Sequence, residues 1–148
     1  MSYVIYQPQL EIAEFVQRLV PVWPSGHGPS DYSAIGFTDG KDLICGVVFT
    51  HFTGIDCHIS IGAVSPLWAT RRNFVHIFEC PFVHWGCARL TAVISKKNYR
   101  SRKLCEGTGF KLEGNKRKAF QDGTDALIYG MLKEECKWLQ NRRAPGKD

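Results

Sequence analysis

Apolar residues recur at two spacings along this chain, and the change between them predicts the order of helices and strands. Near the N-terminus they lie three and four residues apart, which predicts a helix over residues 10–19 that Pro21 ends. From residue 34 to residue 64 the pattern changes to that of β-strands separated by turn formers. It predicts a meander of antiparallel strands, with two of them over residues 43–52 and 55–64.

The second half of the chain returns to helical spacing before it alternates again. Phe74, Phe78 and Phe82 lie four residues apart, so residues 70–84 are predicted to form a helix with one strongly apolar face. Residues 88–94 then alternate as a strand does, and a strand, a helix and a strand in this order imply a parallel crossover. The remaining pattern predicts a short helix to about residue 106, strands over 110–120 and 125–132 joined by an Asp122-Gly123 turn, and a short helix around Trp138.

This order of elements predicts an α/β fold with a single mixed, mostly antiparallel central sheet flanked by helices. The length of 148 residues and a hydrophobic share of 44% fit one domain, which we place over residues 1–140, with 141–148 as a flexible basic tail. No apolar run is long enough for a membrane helix and no signal-peptide pattern opens the chain, so we expect a cytoplasmic protein that does not enter membranes. Residues 21–33 are rich in turn formers and form either a substrate loop or a disordered segment.

The spacing of the cysteines and the distribution of charge exclude some kinds of binding site and leave others open. None of the six cysteines forms a C-x-x-C pair, so we expect reduced, mostly buried thiols and no metal site. His76, Cys80 and His84 are four residues apart, yet Pro81 would distort the helix that brings them together. The formal net charge of +5 lies in clusters of Lys and Arg, which fit a phosphorylated cofactor, a nucleic acid, an acidic protein or an ordinary solvated surface.

One segment carries a family resemblance. Residues 98–114 have the spacing N-x-x-S-x-x-L-x-E-x-x-G-F-x-x-E-G, from Asn98 through Ser101, Glu106 and Gly109 to Gly114. This closely resembles the acyl-CoA N-acyltransferase superfamily called GNAT, especially the branch of ribosomal-protein alanine acetyltransferases and their phage-encoded relatives. Several positions agree in order and spacing, which makes the match more specific than a single Gly-Phe or Glu-Gly pair.

The resemblance implies an enzyme that transfers an acetyl or related acyl group from CoA to a primary amine by direct attack. In this family pantetheine lies between two diverging strands and pairs with backbone, while the CoA pyrophosphate lies at the N-terminus of the next helix. The family's glycines before that helix are absent here, and the sequence reads Trp68-Ala-Thr-Arg-Arg-Asn73 instead. The cofactor-binding residues implied for acetyl-CoA are Ala63, Val64, Trp68, Thr70, Arg71, Arg72, Asn98 and Ser101.

Two residues are assigned to the chemistry itself. Cys105 takes the place of a family tyrosine that protonates the departing thiolate, although a structural cysteine is the other interpretation. A backbone amide near Val64 would hold the developing oxyanion, and His58 is the titratable side chain best placed to remove the amine proton, with Asp56 and His51 as alternatives.

The acceptor stays open at this point. A protein amine, a small amine and a nucleic-acid base all suit a basic acyltransferase, and the basic surface slightly favours nucleic acid. The alternative is a noncatalytic adaptor with a decayed cofactor cleft that binds protein or nucleic acid. A homodimer is also left open.

Overall fold

A computed structural model, which describes residues 1–24 and 26–140, builds the chain around one seven-stranded sheet with helices on both faces. Neighbouring strands are antiparallel except β4 and β5, which run parallel. This confirms the predicted mixed, mostly antiparallel sheet, whereas the predicted tail at 141–148 lies outside the described residues. The strands, in the spatial order β1-β2-β3-β4-β5-β7-β6, are β1 (Tyr3–Ile5), β2 (Ser33–Thr38), β3 (Leu43–Thr50), β4 (His58–Ala63), β5 (Arg89–Ser95), β6 (Lys111–Lys116) and β7 (Ala126–Leu132).

The helices follow the predicted order and differ mainly at one end. They are α1 (Gln9–Leu19), α2 (Arg71–Glu79), α3 (Tyr99–Thr108) and α4 (Lys137–Gln140). The predicted helix over 70–84 is α2 followed by a single π-helical turn, Cys80–His84. Pro81 explains the change because proline has no amide hydrogen to continue the α-helical bonding.

One face of the sheet is covered by α1, which lies close to the strands because glycines face it. A side chain at Gly46 would place its Cβ 2.5 Å from Val16 Cγ2, and one at Gly62 would place it 3.1 Å from Leu19 Cβ. Ile12 and Val16 are therefore fully buried against bare backbone. This close contact fixes the end of α1 and the loop that follows it.

The other face carries the larger core, beneath α2, α3 and α4. Phe74 and Phe78 of α2 and Phe110 pack in one cluster with residues of the central strands, and Trp138 of α4 stacks on Phe74 with ring centroids 4.5 Å apart. The apolar face predicted for α2 is therefore the one that the sheet buries. On this face, residues of α2 and α3 share the core with residues of β4 and β5.

The structure differs from the prediction at two strands. The strand β1 was not predicted, since three residues are too few for a periodicity. The strand predicted over 110–120 ends at Lys116, because the amides of Ala119 and Phe120 both donate to the carbonyl of Thr124 instead of to a strand partner. The Asp122-Gly123 pair thus lies within a longer loop between β6 and β7, where Gly123 adopts φ +82°.

Candidate active site

The parallel strands β4 and β5 diverge almost from their start. They pair only at His58 and Thr91, next to the bond in which the amide of Thr91 donates to the carbonyl of Cys57 at 2.9 Å. After this point the two strands separate, and we call the space between them the strand gap. A parallel pair that separates leaves backbone groups on both inner edges without a strand partner.

The register of the other edge of β4 shows which amides face the strand gap. The amide of Val64 donates to the carbonyl of Ile44 at 2.9 Å, and β3 and β4 pair without a break from Thr50 and His58 onward. Because amides in an antiparallel strand alternate in direction, those of Ile61 and Ala63 point towards the strand gap. The Val64 amide itself is therefore already used, and of the amides near it those of Ile61 and Ala63 face the strand gap.

A cavity of about 820 Å³ occupies the strand gap and continues between two loops. We call it the main cavity. Its walls come from Ile59–Ile61 of β4, from residues 92–95 of β5 and from α3, and its loop walls are residues 20–24 after α1 and 119–122 between β6 and β7. The loop predicted to contact substrate thus supplies one wall, through its first residues.

A second cavity of about 710 Å³ adjoins the main cavity and shares Val20, Ile61, Phe74, Asn98, Ser101, Leu104 and Thr108 with it. Its remaining wall includes Ala63, Pro66, Trp68, Arg100 and Lys103. The two cavities form one cleft along β4 and α3. The positively charged end of the cleft lies at the start of α3, because the lining cations Arg100 and Lys103 belong to the second cavity alone.

Asn98 and Ser101 line both cavities and also build the start of α3. Asn98 is the N-cap residue of α3, and its side-chain oxygen accepts a hydrogen bond from the amide of Ser101 at 3.1 Å. Asn98 is therefore a helix cap, and Asn98 and Ser101 lie in the wall of the cleft, where their contact with a cofactor stays a prediction.

The segment before α2 differs from the prediction in its charged residues. Thr70 caps α2 by accepting from the amide of Asn73 at 3.2 Å, and Trp68 is buried in the wall of the second cavity. Arg71 and Arg72 are exposed at the first turn of α2 and line neither cavity. Val64 and Thr70 also lie outside both walls.

His58 is the first residue of β4 and the position at which this strand pairs with β5, and it precedes the cavity-lining residue Ile59. Its ring stacks on that of His51 with centroids 4.3 Å apart and planes 20° apart. His51 follows β3 with φ +54°, a left-handed conformation that is uncommon for a residue with a side chain. Burial, and then the neighbouring His51, lower the pKa of His58, so its imidazole is neutral at neutral pH.

Asp56 is engaged elsewhere and is a weaker candidate for the base. Thr91 Oγ1 donates to the Asp56 carboxylate at 3.0 Å, and Arg89 Nε lies 3.6 Å from it. Arg89 also donates twice to Glu113, at 2.6 and 3.3 Å. Glu113 belongs to the motif that carries the family resemblance, and the bare backbone of Gly130 is what leaves room for its carboxylate.

Cys105 lines the main cavity from α3 and is almost fully buried. Burial raises the pKa of its thiol to about 12, so the group keeps its proton at neutral pH. It is therefore a thiol that could donate a proton within the cleft, and it is no nucleophile, since the thiolate is the reactive form.

The cation pair on α3 was missed, although the sequence contained a signal for it. One face of α3 carries Arg100 and, three, four and seven residues after it, Lys103, Leu104 and Gly107. All four residues line the second cavity. The residues 119–122 carried no such signal, because only the strand order brings them opposite residues 20–24.

Residues 1–24 and 26–140 contain neither a group of side chains suited to a metal ion nor a helix that could cross a membrane. No three His, Cys, Asp or Glu side chains in this part of the chain are grouped so that they could hold a metal ion. Cys80 of the candidate His-Cys-His pattern donates its thiol to the carbonyl of His76, with sulfur and oxygen 3.5 Å apart. None of the helices described is both long and apolar enough to cross a membrane.

The same arrangement of strands and helices occurs in solved acetyltransferase structures. A GNAT-family acetyltransferase from Bacillus anthracis is 20% identical over 69% of this chain and 67% of its own, with a TM-score of 0.58. The ribosomal-protein-S18-alanine N-acetyltransferase from Escherichia coli is 17% identical over 89% and 94%, with a TM-score of 0.62. A chimeric spermidine N-acetyltransferase from Vibrio cholerae is 14% identical over 93% and 98%, with a TM-score of 0.70.

These likenesses show that the chain has the GNAT acetyltransferase fold. No protein-family model and no curated protein matches the sequence. At such low identities the shared fold does not identify the reaction, and the chemistry has to be argued from the cleft itself.

Proposed function

We propose that residues 1–140 form a single GNAT-type N-acetyltransferase domain that takes acetyl-CoA and acetylates a primary amine in the cytoplasm. The observation that carries the proposal is the strand gap, where β4 and β5 run parallel but pair only at His58 and Thr91. An open gap in the middle of a sheet sacrifices hydrogen bonds, so we expect a ligand with its own amides to complete them.

The residues of the cleft fit CoA in three respects. The amides of Ile61 and Ala63 face the strand gap, where the amides of a pantetheine arm can pair with them. The wall of the second cavity reaches Ala69, directly before the Thr70 cap of α2, so the start of this helix, with its positive dipole end, follows the cavity wall in the chain. Arg100 and Lys103 add positive charge to this cavity, as phosphate groups require.

Acetyl-CoA, when bound, supplies an activated acyl group: an amide bond forms to the acceptor nitrogen, the thioester carbon–sulfur bond breaks, and the amine loses a proton. The chain supplies the groups that move protons. His58 can accept the amine proton through water, since its pKa lies below the ordinary value for histidine. The proton for the leaving sulfur comes from solvent or from the Cys105 thiol in the wall of the main cavity, and the raised pKa of that thiol makes it the weaker donor.

The direct test is calorimetric titration of the natively purified protein with CoA and acetyl-CoA, together with thermal unfolding. A ligand that binds only the folded state at about 100 times its dissociation constant adds about 2.7 kcal/mol to the free energy of unfolding. Transfer is then measured as CoA released in the presence of amines, with mass spectrometry of the product. Absence of both binding and a thermal shift at millimolar acetyl-CoA would contradict the proposal.

A noncatalytic adaptor is the second candidate, and the glycine-free segment before α2 is the observation that favours it. A decayed cofactor site would retain the fold and the basic surface without CoA affinity. The same titration separates the two functions, because the adaptor predicts no heat of CoA binding and a salt-dependent association with nucleic acid or acidic protein.

A further inference from the structure

The two ends of the cleft differ in charge, and the difference bears on the acceptor. Of the described residues that line the second cavity, the charged ones are the cations Arg100 and Lys103. Of those that line the main cavity, the charged one is Asp122, in the loop between β6 and β7. A cleft of this kind places phosphates at one end and a positively charged group at the other.

The walls around Asp122 are largely apolar. On one side the loop after α1 contributes Pro21, Val22, Trp23 and Pro24, and on the other side the loop between β6 and β7 contributes Ala119 and Phe120. The Trp23 ring packs in the core with Ala34 and Val48, so Phe120, which is half-buried, is the aromatic ring of these walls that remains for an apolar, flat group on the ligand.

The loop after α1 is held in place by α1 itself. Gln17 Oε1 accepts from the amides of Val22 and Trp23, both at 2.9 Å, and Gln17 Nε2 donates to the carbonyl of Trp23 at 3.0 Å. Trp23 also packs edge-on against Tyr32, with ring centroids 5.5 Å apart. This wall is therefore preformed, which reduces the entropy lost when a ligand binds.

The same hydrogen bonds leave little backbone for a peptide to pair with. Pro21 and Pro24 have no amide hydrogen, and those of Val22 and Trp23 are taken by Gln17. In the opposite loop the amides of Ala119 and Phe120 donate to the carbonyl of Thr124. An extended peptide, which binds through main-chain hydrogen bonds, finds few donors here.

Asp122 is exposed in the wall of the main cavity. Its Oδ1 accepts from the amide of Thr124 at 2.9 Å, which fixes the carboxylate within the turn. Hydrogen bonds from Thr124 hold the pKa of Asp122 below its ordinary value, and the nearby cation Lys97 contributes to lowering the pKa of this carboxyl group. A polyamine would present further ammonium groups, and the main cavity offers no second carboxylate among its described lining residues.

On the basis of the proposed function, we propose that the acceptor is a small monoamine with an apolar, preferably aromatic, substituent. Its substituent lies between the walls that contain Trp23 and Phe120, and its ammonium group pairs with Asp122 before deprotonation and attack. Asp122 is then a positioning residue for the amine.

The test compares three acceptors with acetyl-CoA and the full chain: 2-phenylethylamine, spermidine and a short peptide with an N-terminal alanine. We expect kcat/KM for 2-phenylethylamine to exceed those for the other two by ~10-fold or more, since burial of a phenyl group is worth that factor. A preference for spermidine or for the peptide overturns the inference and leaves the proposed acetyltransferase intact. Binding of acetyl-CoA without transfer to 2-phenylethylamine also overturns it, whereas loss of CoA binding itself refutes the proposed function.

The variant Asp122→Asn keeps the acceptor for the Thr124 amide and removes the charge. We expect KM for 2-phenylethylamine to rise about 3- to 5-fold, the range of an exposed ion pair, with kcat nearly unchanged. Competitive inhibition by 2-phenylethanol, which has no charge, should not change. The matched control is Asp39→Asn, because Asp39 accepts turn amides of Lys41 and Asp42 in the same manner far from the cleft. Equal effects of both variants, or an equal loss of alcohol binding, would overturn the role of Asp122.

Discussion

The position of the phosphate-binding charge can be tested by two double variants that the sequence and the structure rank in opposite order. The sequence resemblance points to Arg71 and Arg72 at the start of α2. The cleft instead contains Arg100 and Lys103 of α3. We therefore expect Arg100→Ala/Lys103→Ala to weaken CoA binding and Arg71→Ala/Arg72→Ala to leave it within about 2-fold of the wild-type value.

The size of the effect follows from exposure. All four side chains are exposed, so each charge that contacts a phosphate contributes roughly 0.2–1 kcal/mol and not the larger value of a buried pair. Two such contacts contribute about 0.4–2 kcal/mol, which corresponds to a rise in Kd of about 2- to 30-fold. The effect should shrink with added salt, since exposed charges are screened over about 8–10 Å at physiological ionic strength.

Isothermal titration with CoA measures these changes, and pantetheine, which has no phosphate, is the control ligand. Neither double variant should alter pantetheine binding. Alanine is the best helix former, so neither is expected to destabilise α2 or α3, and circular dichroism checks this. A larger loss of CoA affinity in Arg71→Ala/Arg72→Ala than in Arg100→Ala/Lys103→Ala would refute the assignment of the charge to α3.

Two further predictions concern the base and the core. His58→Ala should lower turnover by roughly 10²–10⁴-fold without changing CoA affinity. In the wild type the rate should fall below about pH 6.5, because burial and His51 lower the pKa of His58. This fall in rate should vanish in His58→Ala. His51→Phe keeps a flat ring and removes its charge, so it should move the fall in rate to higher pH; an unchanged pH dependence would exclude the stacked pair from the mechanism. Gly46→Ala should lower the free energy of unfolding by about 1–3 kcal/mol in urea, because its Cβ would lie 2.5 Å from Val16, while Gly107→Ala, in open space on α3, should not destabilise the chain.

The fold was largely predictable because its elements follow local periodicity. The spacing of Phe74, Phe78 and Phe82 marks the apolar face of α2 and its extension, and the alternation from residue 88 marks β5. The short β1 could not be seen, since its pairing with β2 depends on a distant partner. The divergence of β4 and β5 came from the family resemblance, because nothing in either strand's own pattern indicates how far the two stay paired.

The site was predictable only where local structure builds it. Asn98 was predicted as a cofactor contact, and the structure shows it as the cap of α3 in the cleft wall, while Cys105 of the same motif lines the main cavity. The stacking of His58 on His51 depends on the left-handed backbone of His51 and on the register of β3 with β4. Sequence spacing alone reports neither. Trp23 and the loop between β6 and β7 likewise line the same cavity only because the order of strands in the sheet brings them together.

The missing glycines before α2 and the cations on α3 can be understood as parts of one arrangement. Glycines in such a segment allow a backbone to approach phosphates without interference from side chains. Here Trp68 packs between Phe37 and Phe74, and Thr70 turns back to cap α2. Pro66, Trp68 and Ala69 of this segment line the second cavity.

Arg71 and Arg72 line neither cavity, whereas Arg100 and Lys103, one turn apart on α3, line the second one. We therefore expect the positive charge for a phosphate to come from α3, on the opposite side of the cleft. The two candidate functions therefore differ in what they predict for α3. If the cleft binds CoA, Arg100→Ala/Lys103→Ala weakens that binding although the segment before α2 has no glycine, whereas an adaptor binds no CoA with or without these cations.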